Sequence, residues 1–566
     1  MIKDVYPMKA QFKKAETIEI EVQLEKLIIV NILNIAIKVF HLNKEVFYET
    51  RKANNETINF TFNINPFEGN MMGFGVEVIL LSKGQEISRA TTSFDILEDW
   101  KYAPRYGFLS DFERAQLDDE KDVAQLSKYH INAVQFYDWM FRHHDLIPPQ
   151  SNFVDSMGRS LSLSVVKQKI NFAHKYGMRA MAYGAVYASE IEFYDKNKEL
   201  AIFQNDGKVL GFIDFIYMMD INRESAWHIH IIKEFEKAVN LGFDGIHMDQ
   251  YGFPKEAWAK SFDKIKVRHL RNDFPELIED TRKYIEGNGN EVDLIFNAVN
   301  NWPIDTVANT SQDCVYIEVW SPNDTFEDLN RLILNAKTYA PQKQVILAAY
   351  LKGFLNKQEV AQREAEIGAL LTMATIFSSG GFHLLLGEKH GMLTEAYYPA
   401  YATINSDEFK CKIRSYYDFI VRYEELLYSF DIIDNTLYFT GGINGEYVFK
   451  GAEFSPKAVP GKVWTQVKER TGAKIIQLVN FKEVENMNWV EGKTNLPAIV
   501  YNIEVTALVV EDVKGVFLAS PDFGMCNSIE LEYIIVNHNQ GKAIKFIVPE
   551  LKVWDMVYIL VDENQI

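Results

Sequence analysis

The chain has 566 residues, of which 47% are hydrophobic and 24% charged, a composition typical of globular proteins with about three or four domains. Its formal net charge of −19 would repel a phosphate backbone, so we expect no nucleic-acid partner. No apolar run approaches the ~20 residues of a membrane-spanning helix, so we expect no membrane partner either.

Residues 1–98 show only patterns that are typical of strands. Apolar and polar residues alternate over 18–24 and again over 58–64, with turn-forming residues at 52–56 between them. Such period-2 runs predict antiparallel strands with one buried face. We therefore expect an N-terminal immunoglobulin-like β-sandwich.

Residues 99–430 alternate between strand and helix patterns. Eight short apolar runs are predicted as strands: Tyr106–Leu109, Ala133–Tyr137, Arg179–Tyr183, Gly245–Asp249, Leu294–Asn297, Val315–Glu318, Val345–Tyr350 and Gly381–Leu385. The clearest helix is predicted to begin after Asn222 as its N-cap and to end at Gly242. Eight strands with helices between them predict a central (β/α)8 TIM barrel rather than an open sheet.

Residues 431–566 return to strand patterns. The predicted strands are Lys474–Val479, Ile503–Val510, Ile529–Val536, Ile544–Val548 and Val553–Leu560. Turn signals such as 537–541 join them, as in hairpins. We expect a C-terminal antiparallel β-sandwich here.

Acidic residues end two of the predicted barrel strands. Asp249 follows an apolar run and precedes a glycine-bearing turn, and Glu318 stands two residues before Trp320. A single Asp at a strand end often only caps a turn. Two carboxylates at strand exits of one barrel, each beside an aromatic residue, indicate the acid pair that cleaves a glycosidic bond.

Other residues at the strand exits are predicted to bind the substrate. Aromatic rings stack on the C–H faces of sugars, while acids and amides bind the hydroxyl groups. The predicted substrate-binding residues are Asp138, Trp139, Tyr183, Asn297, Trp302, Trp320, His383 and Glu388. Two alternatives stay open. In one, Asp138 is the ion-pair partner of Arg142; in the other, Trp139 and Trp302 only pack within their loops.

No motif for a metal or cofactor is present in the sequence. His143 and His144 are adjacent, which rarely suits one ion, and no Walker loop, dinucleotide fingerprint or Gly-x-Ser-x-Gly elbow occurs. We expect neither a metal site nor a cofactor, although the loop acids would allow a structural Ca²⁺. The N-terminal residues lack a signal-peptide core, which predicts a cytoplasmic protein, or a secreted one if a leader has been removed.

Four segments resemble glycoside hydrolase family 66, which holds dextranases and the enzymes that make cyclic isomaltooligosaccharides from dextran. They are 102–110, 134–139, 242–249 and 316–320. The resemblance extends over nearly the whole chain. It implies a retaining mechanism on α-1,6-linked glucan, with Asp249 in the position of the nucleophile and Glu318 in that of the general acid/base.

These two roles require different protonation states. A nucleophilic Asp249 must be ionised, so we expect hydrogen-bond donors to hold its pKa down. Glu318 must carry a proton, so we expect burial beside Trp320 and the charge of Asp249 to raise its pKa.

One departure from the family bears on the reaction. Its cyclising members look distinguished by a carbohydrate-binding module after the seventh strand, whereas here Tyr350 is followed closely by a helix pattern at 359–371. This favours endo-hydrolysis of dextran or isomaltooligosaccharides, as by a dextranase. The alternatives are an exo-acting α-glucosidase or α-galactosidase, a transglycosylase, and a carbohydrate-binding protein without catalysis.

Overall fold

The computed structural model describes residues 1–25, 33–65, 67–261 and 264–562. Its N-terminal part forms two antiparallel sheets. One consists of Ile2–Pro7, Ile18–Leu24 and Thr57–Phe62, and the other of Lys44–Lys52, Leu33–His41, Met71–Ser82 and Gln85–Leu97. The alternation predicted over 18–24 is confirmed, because Ile18, Ile20, Val22 and Leu24 are buried in a core that both sheets share.

Eight parallel strands follow, each hydrogen-bonded to the next in chain order. They are Tyr106–Leu109, Ala133–Phe136, Arg179–Ala185, Gly245–Asp249, Asp293–Asn297, Cys314–Glu318, Val345–Ala348 and Phe382–His383. All eight predicted strands are present, but the seventh ends two residues earlier than predicted, and the eighth covers only Phe382–His383 of the predicted 381–385. Just beyond the eighth strand, Leu386–Gly387 pairs in parallel with the first strand. The segment 382–387 is therefore paired with both the seventh and the first strand.

Helices lie between successive parallel strands along the chain. They are Lys121–Lys128, Leu163–Lys175, Ala226–Leu241, Leu270–Gly287, Ile304–Val307, Phe326–Tyr339 and Glu359–Ser378. The strands they connect are buried on both faces, as in the fully buried pattern of Tyr106–Leu109 and Val345–Ala348. Burial of both faces is typical of parallel strands that are covered by helices. Asp407–Arg422 and Glu424–Tyr428 follow the eighth strand.

The third of these helices, Ala226–Leu241, shows one error in the predicted boundaries. Ser225, not Asn222, is the N-cap of Ala226–Leu241, and its side chain accepts a hydrogen bond from the backbone N–H of Trp227. Asn222 is occupied differently: its side chain accepts from the backbone of Glu224 and donates to Asp273. The predicted end is confirmed, because Gly242 follows the helix with a φ of 122° that favours glycine.

The C-terminal part forms two further antiparallel sheets with a common core. The larger sheet contains, in spatial order, Ile433–Asp434, Val463–Arg470, Ala473–Asn480, Trp554–Val561, Val513–Ala519 and Ile529–Glu530, and Phe454–Ser455 is paired to its second strand. The smaller sheet contains Tyr447–Lys450, Val500–Leu508, Gly541–Leu551 and Tyr533–His538. The single strand predicted over 529–536 is wrong. The chain changes sheet there, since 529–530 pairs with 517–518 and 533–538 pairs with 541–546.

Within the described ranges, no helix combines the length and the apolar character needed to cross a membrane. The same part of the chain contains no cluster of three or more His, Cys, Asp or Glu side chains arranged to hold a metal ion.

Candidate active site

Three polar residues end three adjacent parallel strands. Asp249, Asn297 and Glu318 are the last residues of the fourth, fifth and sixth strands, and the fifth strand lies between the other two. Parallel strands present their carboxyl ends at one edge of a sheet, so residues at these ends become neighbours. The two predicted catalytic acids therefore flank Asn297.

The side-chain amide of Asn297 connects the two acids. Its Nδ2 group donates to Oδ1 of Asp249 at 2.8 Å and to Oε2 of Glu318 at 3.0 Å. Its oxygen accepts from the backbone N–H of Glu318 at 3.3 Å. An amide NH2 group carries two hydrogens, so one group can serve both carboxylates. Asn297 was predicted only as a substrate-binding residue.

Two tyrosine hydroxyls bind the carboxyl oxygens of Asp249 and Glu318 that Asn297 does not bind. Tyr183 donates to Oδ2 of Asp249 at 2.8 Å, and Tyr350 donates to Oε1 of Glu318 at 2.6 Å. All four carboxyl oxygens thus accept hydrogen bonds from neutral donors. Among the described residues, no Lys or Arg side chain is hydrogen-bonded to either carboxyl group.

Burial dominates the electrostatics of the pair. It raises the pKa of Asp249 to about 7, with the neighbouring charge of Glu318 adding to the rise, although the bonds from Asn297 and Tyr183 act in the opposite direction. Burial also raises the pKa of Glu318, against hydrogen bonds from Tyr350, Asn297 and Trp320, so the expectation that Trp320 would help to raise this pKa is wrong. The expectation that donors would hold the pKa of Asp249 down is wrong, because they are outweighed by burial and by the second carboxylate.

Asp138 follows the second strand with a positive φ of 46° and is 9% exposed. Its ion-pair partner is Arg159, whose Nη2 lies 3.9 Å from Oδ2 and donates to the backbone carbonyl of Asp138 at 2.7 Å. The alternative partner Arg142 is wrong, since it binds the carbonyls of Phe141 and Val154 instead. Burial raises the pKa of Asp138, while His143 and Arg159 lower it.

Three predicted substrate-binding residues are enclosed by protein. Trp139 has no exposed surface; its ring packs on Phe243, and its Nε1 donates to the carbonyl of Tyr183 at 3.2 Å. His383 is 2% exposed and is hydrogen-bonded to the carbonyl of Ala349. The predicted contact with sugar is corrected for both residues, because their side chains are packed inside the protein.

Glu388 is the third enclosed residue, with no exposed surface. It accepts hydrogen bonds from the backbone N–H and the hydroxyl of Ser110, the latter at 2.7 Å. The carboxylate thus anchors the loop after the first strand to the segment after the eighth. Its predicted role in binding substrate is corrected to this structural one.

Two tryptophans remain near the strand ends with open surface. Trp320 is 37% exposed, and its ring centre lies 5.6 Å from that of Tyr350. Trp302 is partly buried, with the ammonium group of Lys255 3.3 Å from its ring centre. The ammonium group of Lys352 lies over the Trp320 ring as well, 5.4 Å from its centre, so a cation is close to one face of each tryptophan.

Sequence reasoning missed the roles of Tyr350 and Arg159. Tyr350 stands two residues after the seventh strand, as Trp320 stands two residues after the sixth, and this shared offset is a signal that could have placed it beside Glu318. Arg159 lies between the second and third strands, in a segment with no distinctive pattern. Nothing in its sequence context indicates a partner for Asp138.

Paired carboxylates of this kind, on strand ends of a parallel sheet, are typical of enzymes that cleave glycosidic bonds. The chain matches the model of glycosyl hydrolase family 66 over residues 7–558. It belongs to glycosyl hydrolase family 66, as the four segments that resemble that family implied.

Individual relatives agree with this membership. A cycloisomaltooligosaccharide glucanotransferase of Niallia circulans is 24% identical over 714 aligned positions, covering 99% of this chain and 72% of that protein. A dextranase of Streptococcus salivarius is 23% identical over 578 positions, covering 87% of this chain and 68% of the dextranase. The crystal structure of a Paenibacillus sp. cycloisomaltooligosaccharide glucanotransferase, complexed with cycloisomaltoheptaose, has a TM-score of 0.86 at 21% identity, covering 98% of this chain and 99% of that one. At this identity the structural likeness shows a shared fold.

Proposed function

We propose that this protein hydrolyses internal α-1,6-glucosidic bonds of dextran and isomaltooligosaccharides with retention of anomeric configuration. The proposal assigns the nucleophile to Asp249 and the general acid/base to Glu318. The observation that carries it is the single amide donor shared by the two acids. The names of the relatives, which refer to dextran and to cyclic isomaltooligosaccharides, support the substrate class.

The shared donor limits the separation of the acids. The oxygens bound to Asn297 can be no further apart than its two hydrogen-bond distances, 2.8 and 3.0 Å, laid end to end. That limit applies to one oxygen of each carboxyl group, whereas the ~6.5–9.5 Å of inverting enzymes separates whole carboxyl groups with a water molecule between them. The limit accommodates the ~5–5.5 Å of retaining enzymes.

The reaction then has two steps. In the first, a carboxylate oxygen of Asp249 attacks the anomeric carbon while Glu318 donates its proton to the glycosidic oxygen, and the bond to the leaving sugar breaks. In the second, ionised Glu318 takes a proton from water, whose oxygen attacks the same carbon and breaks the ester bond to Asp249. Both carboxyl groups return to their starting states.

In the free protein burial and the charge of Glu318 raise the pKa of Asp249, and the cycle requires the opposite distribution, with the proton on Glu318. Two ionised carboxylates at this separation repel each other, so ionisation of Asp249 favours a proton on Glu318. Formation of the ester removes the charge of Asp249, which makes Glu318 easier to ionise when it must act as a base. The neutral donors Asn297, Tyr183 and Tyr350 hold the geometry in both states.

The surrounding architecture fits the same proposal. We infer that the eight parallel strands close into a (β/α)8 barrel through the segment 382–387, with an immunoglobulin-like sandwich before it and an antiparallel sandwich after it. The pairing of this segment with both the seventh and the first strand supports closure. In such a barrel the strand exits form the active site, where Asp249 and Glu318 lie.

Two residues are proposed to contact the glucan. Trp320 would stack on a sugar ring, since the residue is 37% exposed beside Tyr350 and Lys352. Asp138 would bind sugar hydroxyls on the non-reducing side of the cleaved bond, with Arg159 holding its carboxylate in place. Tyr183 donates a hydrogen bond to Asp249.

The choice between water and a sugar as acceptor rests on the connection after the seventh strand. Only ten residues, 349–358, separate Val345–Ala348 from the helix Glu359–Ser378, which leaves no room for an inserted module. The alignment with the Niallia circulans glucanotransferase is longer than this chain, so that protein has segments without a counterpart here. Both observations favour hydrolysis. Glucanotransferase activity is the second candidate, because two relatives carry that name.

Digestion of dextran tests the proposal. An endo-hydrolase lowers viscosity before free glucose accumulates, and its products are linear. Proton NMR during the first turnovers should show α-configured reducing ends, as retention requires. Early release of glucose would indicate an exo-enzyme, cyclic products a glucanotransferase, and unchanged dextran with measurable binding a carbohydrate-binding protein.

A further inference from the structure

The connection after the third parallel strand contains structure that the proposed reaction does not use. It runs over residues 186–225, between Arg179–Ala185 and the helix Ala226–Leu241. A small antiparallel sheet within it consists, in spatial order, of Ala188–Ser189, Ile216–Met218 and Gly211–Phe212. The connection begins at the edge of the parallel sheet where Asp249 and Glu318 lie, so it is placed to meet a substrate.

Three aromatic rings connect this small sheet to the loop that follows Asp249. Phe212 stacks on Tyr251, with 4.3 Å between the ring centres and 27° between the ring planes. The ring centre of Phe212 also lies 5.8 Å from that of Phe253, at an interplanar angle of 61°. Tyr251 and Phe253 stand two and four residues after Asp249. Phe212, Tyr251 and Phe253 are called the aromatic platform below.

Two members of the aromatic platform are accessible from outside the protein. Phe212 is 37% exposed and Phe253 is 39% exposed, and no other phenylalanine in the described part of the chain is as exposed. Neither ring has a cation over it of the kind seen at Trp302 and Trp320, within the same part of the chain. Neighbouring apolar rings that the protein itself leaves uncovered indicate a binding surface.

The backbone beneath the aromatic platform is held by one hydroxyl group. The hydroxyl of Tyr187, two residues after the third strand, accepts from the backbone N–H of Tyr251 at 2.6 Å and donates to the carbonyl of Phe253 at 2.9 Å. Gly252 lies between them with a φ of 77°, and a β-carbon there would lie 3.0 Å from Cγ1 of Val299, so the turn favours glycine. A surface that is fixed before binding loses little conformational entropy when a ligand binds.

The aromatic platform is continuous with the acid pair through Tyr251. Burial and the charge of Asp249 raise the pKa of Tyr251, so its hydroxyl lies within electrostatic reach of that carboxylate. In the parallel sheet the third strand lies on the side of the fourth that is opposite to the fifth and sixth. The platform and Trp320 therefore lie on opposite sides of Asp249, and a glucan that crosses the acid pair can meet both.

We propose that Phe212 and Phe253 stack on glucose units of the glucan that lie beyond the two units joined by the cleaved bond, and thereby set a preference for long chains. This inference rests on the proposed function, because the ligand is the proposed substrate. Neither ring carries a polar group, so the contact is with the C–H faces of the sugar. Such a contact is the same for every unit of a repeating neutral polymer.

Hydrolysis of isomaltooligosaccharides from three to ten glucose units tests the aromatic platform. Phe212→Leu keeps an apolar side chain but removes the ring, so kcat/KM should fall about tenfold on the longest substrate and less than about twofold on isomaltotriose. Phe212→Tyr keeps the ring and should retain the dependence on length. The control is Tyr48→Ala, a 55% exposed aromatic residue of the N-terminal strand Lys44–Lys52, which should change neither value. An equal loss at every length, or no loss in Phe212→Leu, would overturn the proposal.

Binding of dextran to Glu318→Gln separates this inference from the proposed function. This variant lacks the proton donor, so affinity electrophoresis in dextran-containing gels measures binding without cleavage. Adding Phe212→Leu should weaken the binding about tenfold, whereas adding Phe212→Tyr should not. Weakened binding in a protein that never cleaves dextran would support the platform and contradict the hydrolysis. Normal cleavage with binding unchanged by Phe212→Leu would contradict the platform alone, and no binding of dextran would overturn both.

Discussion

Asp249 and Glu318 accept hydrogen bonds from the same nitrogen, Nδ2 of Asn297. The fifth strand thus positions the end groups of the fourth and sixth. Each acid has a second donor of its own, Tyr183 for Asp249 and Tyr350 for Glu318. Changes to the shared donor and to the separate donors should therefore have different consequences for activity.

Asn297→Ala removes the shared donor. Both carboxylates lose a bond that stabilises their ionised forms and fixes their separation, so kcat/KM on dextran should fall about 100-fold, or about 2.7 kcal/mol. The control is Asn240→Ala, on a helix end where the side chain bonds only to Asn290 among the contacts described. Steady-state kinetics with equal melting temperatures would test the effect, and a loss of less than threefold would contradict the bridging role.

Tyr183→Phe and Tyr350→Phe should shift opposite limbs of the pH profile. Each substitution removes a donor to a carboxylate and so raises the pKa of that carboxyl group. Asp249 must be ionised, so in Tyr183→Phe the acidic limb of kcat/KM should move to higher pH. Glu318 must be protonated, so in Tyr350→Phe the basic limb should move to higher pH.

The pH optimum should therefore narrow in Tyr183→Phe and broaden in Tyr350→Phe. Full profiles of kcat/KM between pH 4 and 10 on an isomaltooligosaccharide would separate the two effects. Movement of the same limb in both variants would mean that the roles assigned to the two acids are wrong.

Trp320→Ala and Trp139→Ala should separate binding from stability. Trp320 is 37% exposed, so its loss should raise KM for dextran about tenfold, or about 1.4 kcal/mol, with little change in the free energy of unfolding. Trp139 is fully buried, so its loss should lower the free energy of unfolding by about 3–5 kcal/mol. Chemical denaturation beside kinetics checks both, and an unaltered KM in Trp320→Ala would exclude the stacking role.

The strands and their terminal acids were predictable because their signals are local. An apolar run that ends in Asp249 or Glu318 identifies both the strand and its exit within a few residues. Packing between distant segments was not predictable in this way. Glu388 is bound to Ser110, 278 residues earlier in the chain, and no pattern near either residue announces that contact.

The hydrogen bonding and the pKa values of the two acids also depend on how distant segments are arranged in the folded protein. Asn297 lies between the acids because its strand lies between theirs in the sheet. Its local sequence alone supports only the prediction that its amide binds a sugar. The raised pKa of Asp249 reflects burial and the closeness of Glu318, which the sequence context of Asp249 does not contain. Trp139 and Trp320 follow strands in the same way, yet only the loops that cover them decide which one is exposed.

Asp249→Gly and Glu318→Gln should fail at different steps. Asp249→Gly removes the nucleophile, so hydrolysis should fall by several orders of magnitude, and added azide should restore turnover with inverted product. Glu318→Gln keeps the nucleophile and removes the proton donor. An isomaltosyl fluoride has a good leaving group and needs little protonation, so this variant should still form the glycosyl-enzyme from it while failing on dextran.

That intermediate should accumulate in Glu318→Gln, because the same residue must later deprotonate water. Mass spectrometry of the digested variant should therefore find one sugar ester on Asp249, and none after the same treatment of Asp249→Gly. Glu388→Gln is the matched control, since Glu388 is a buried carboxylate that follows the eighth strand but contacts Ser110 rather than the acid pair. It should give no trapped ester. If Glu318→Gln lost activity equally on the fluoride and on dextran, with no ester on Asp249, Glu318 would not be the acid/base.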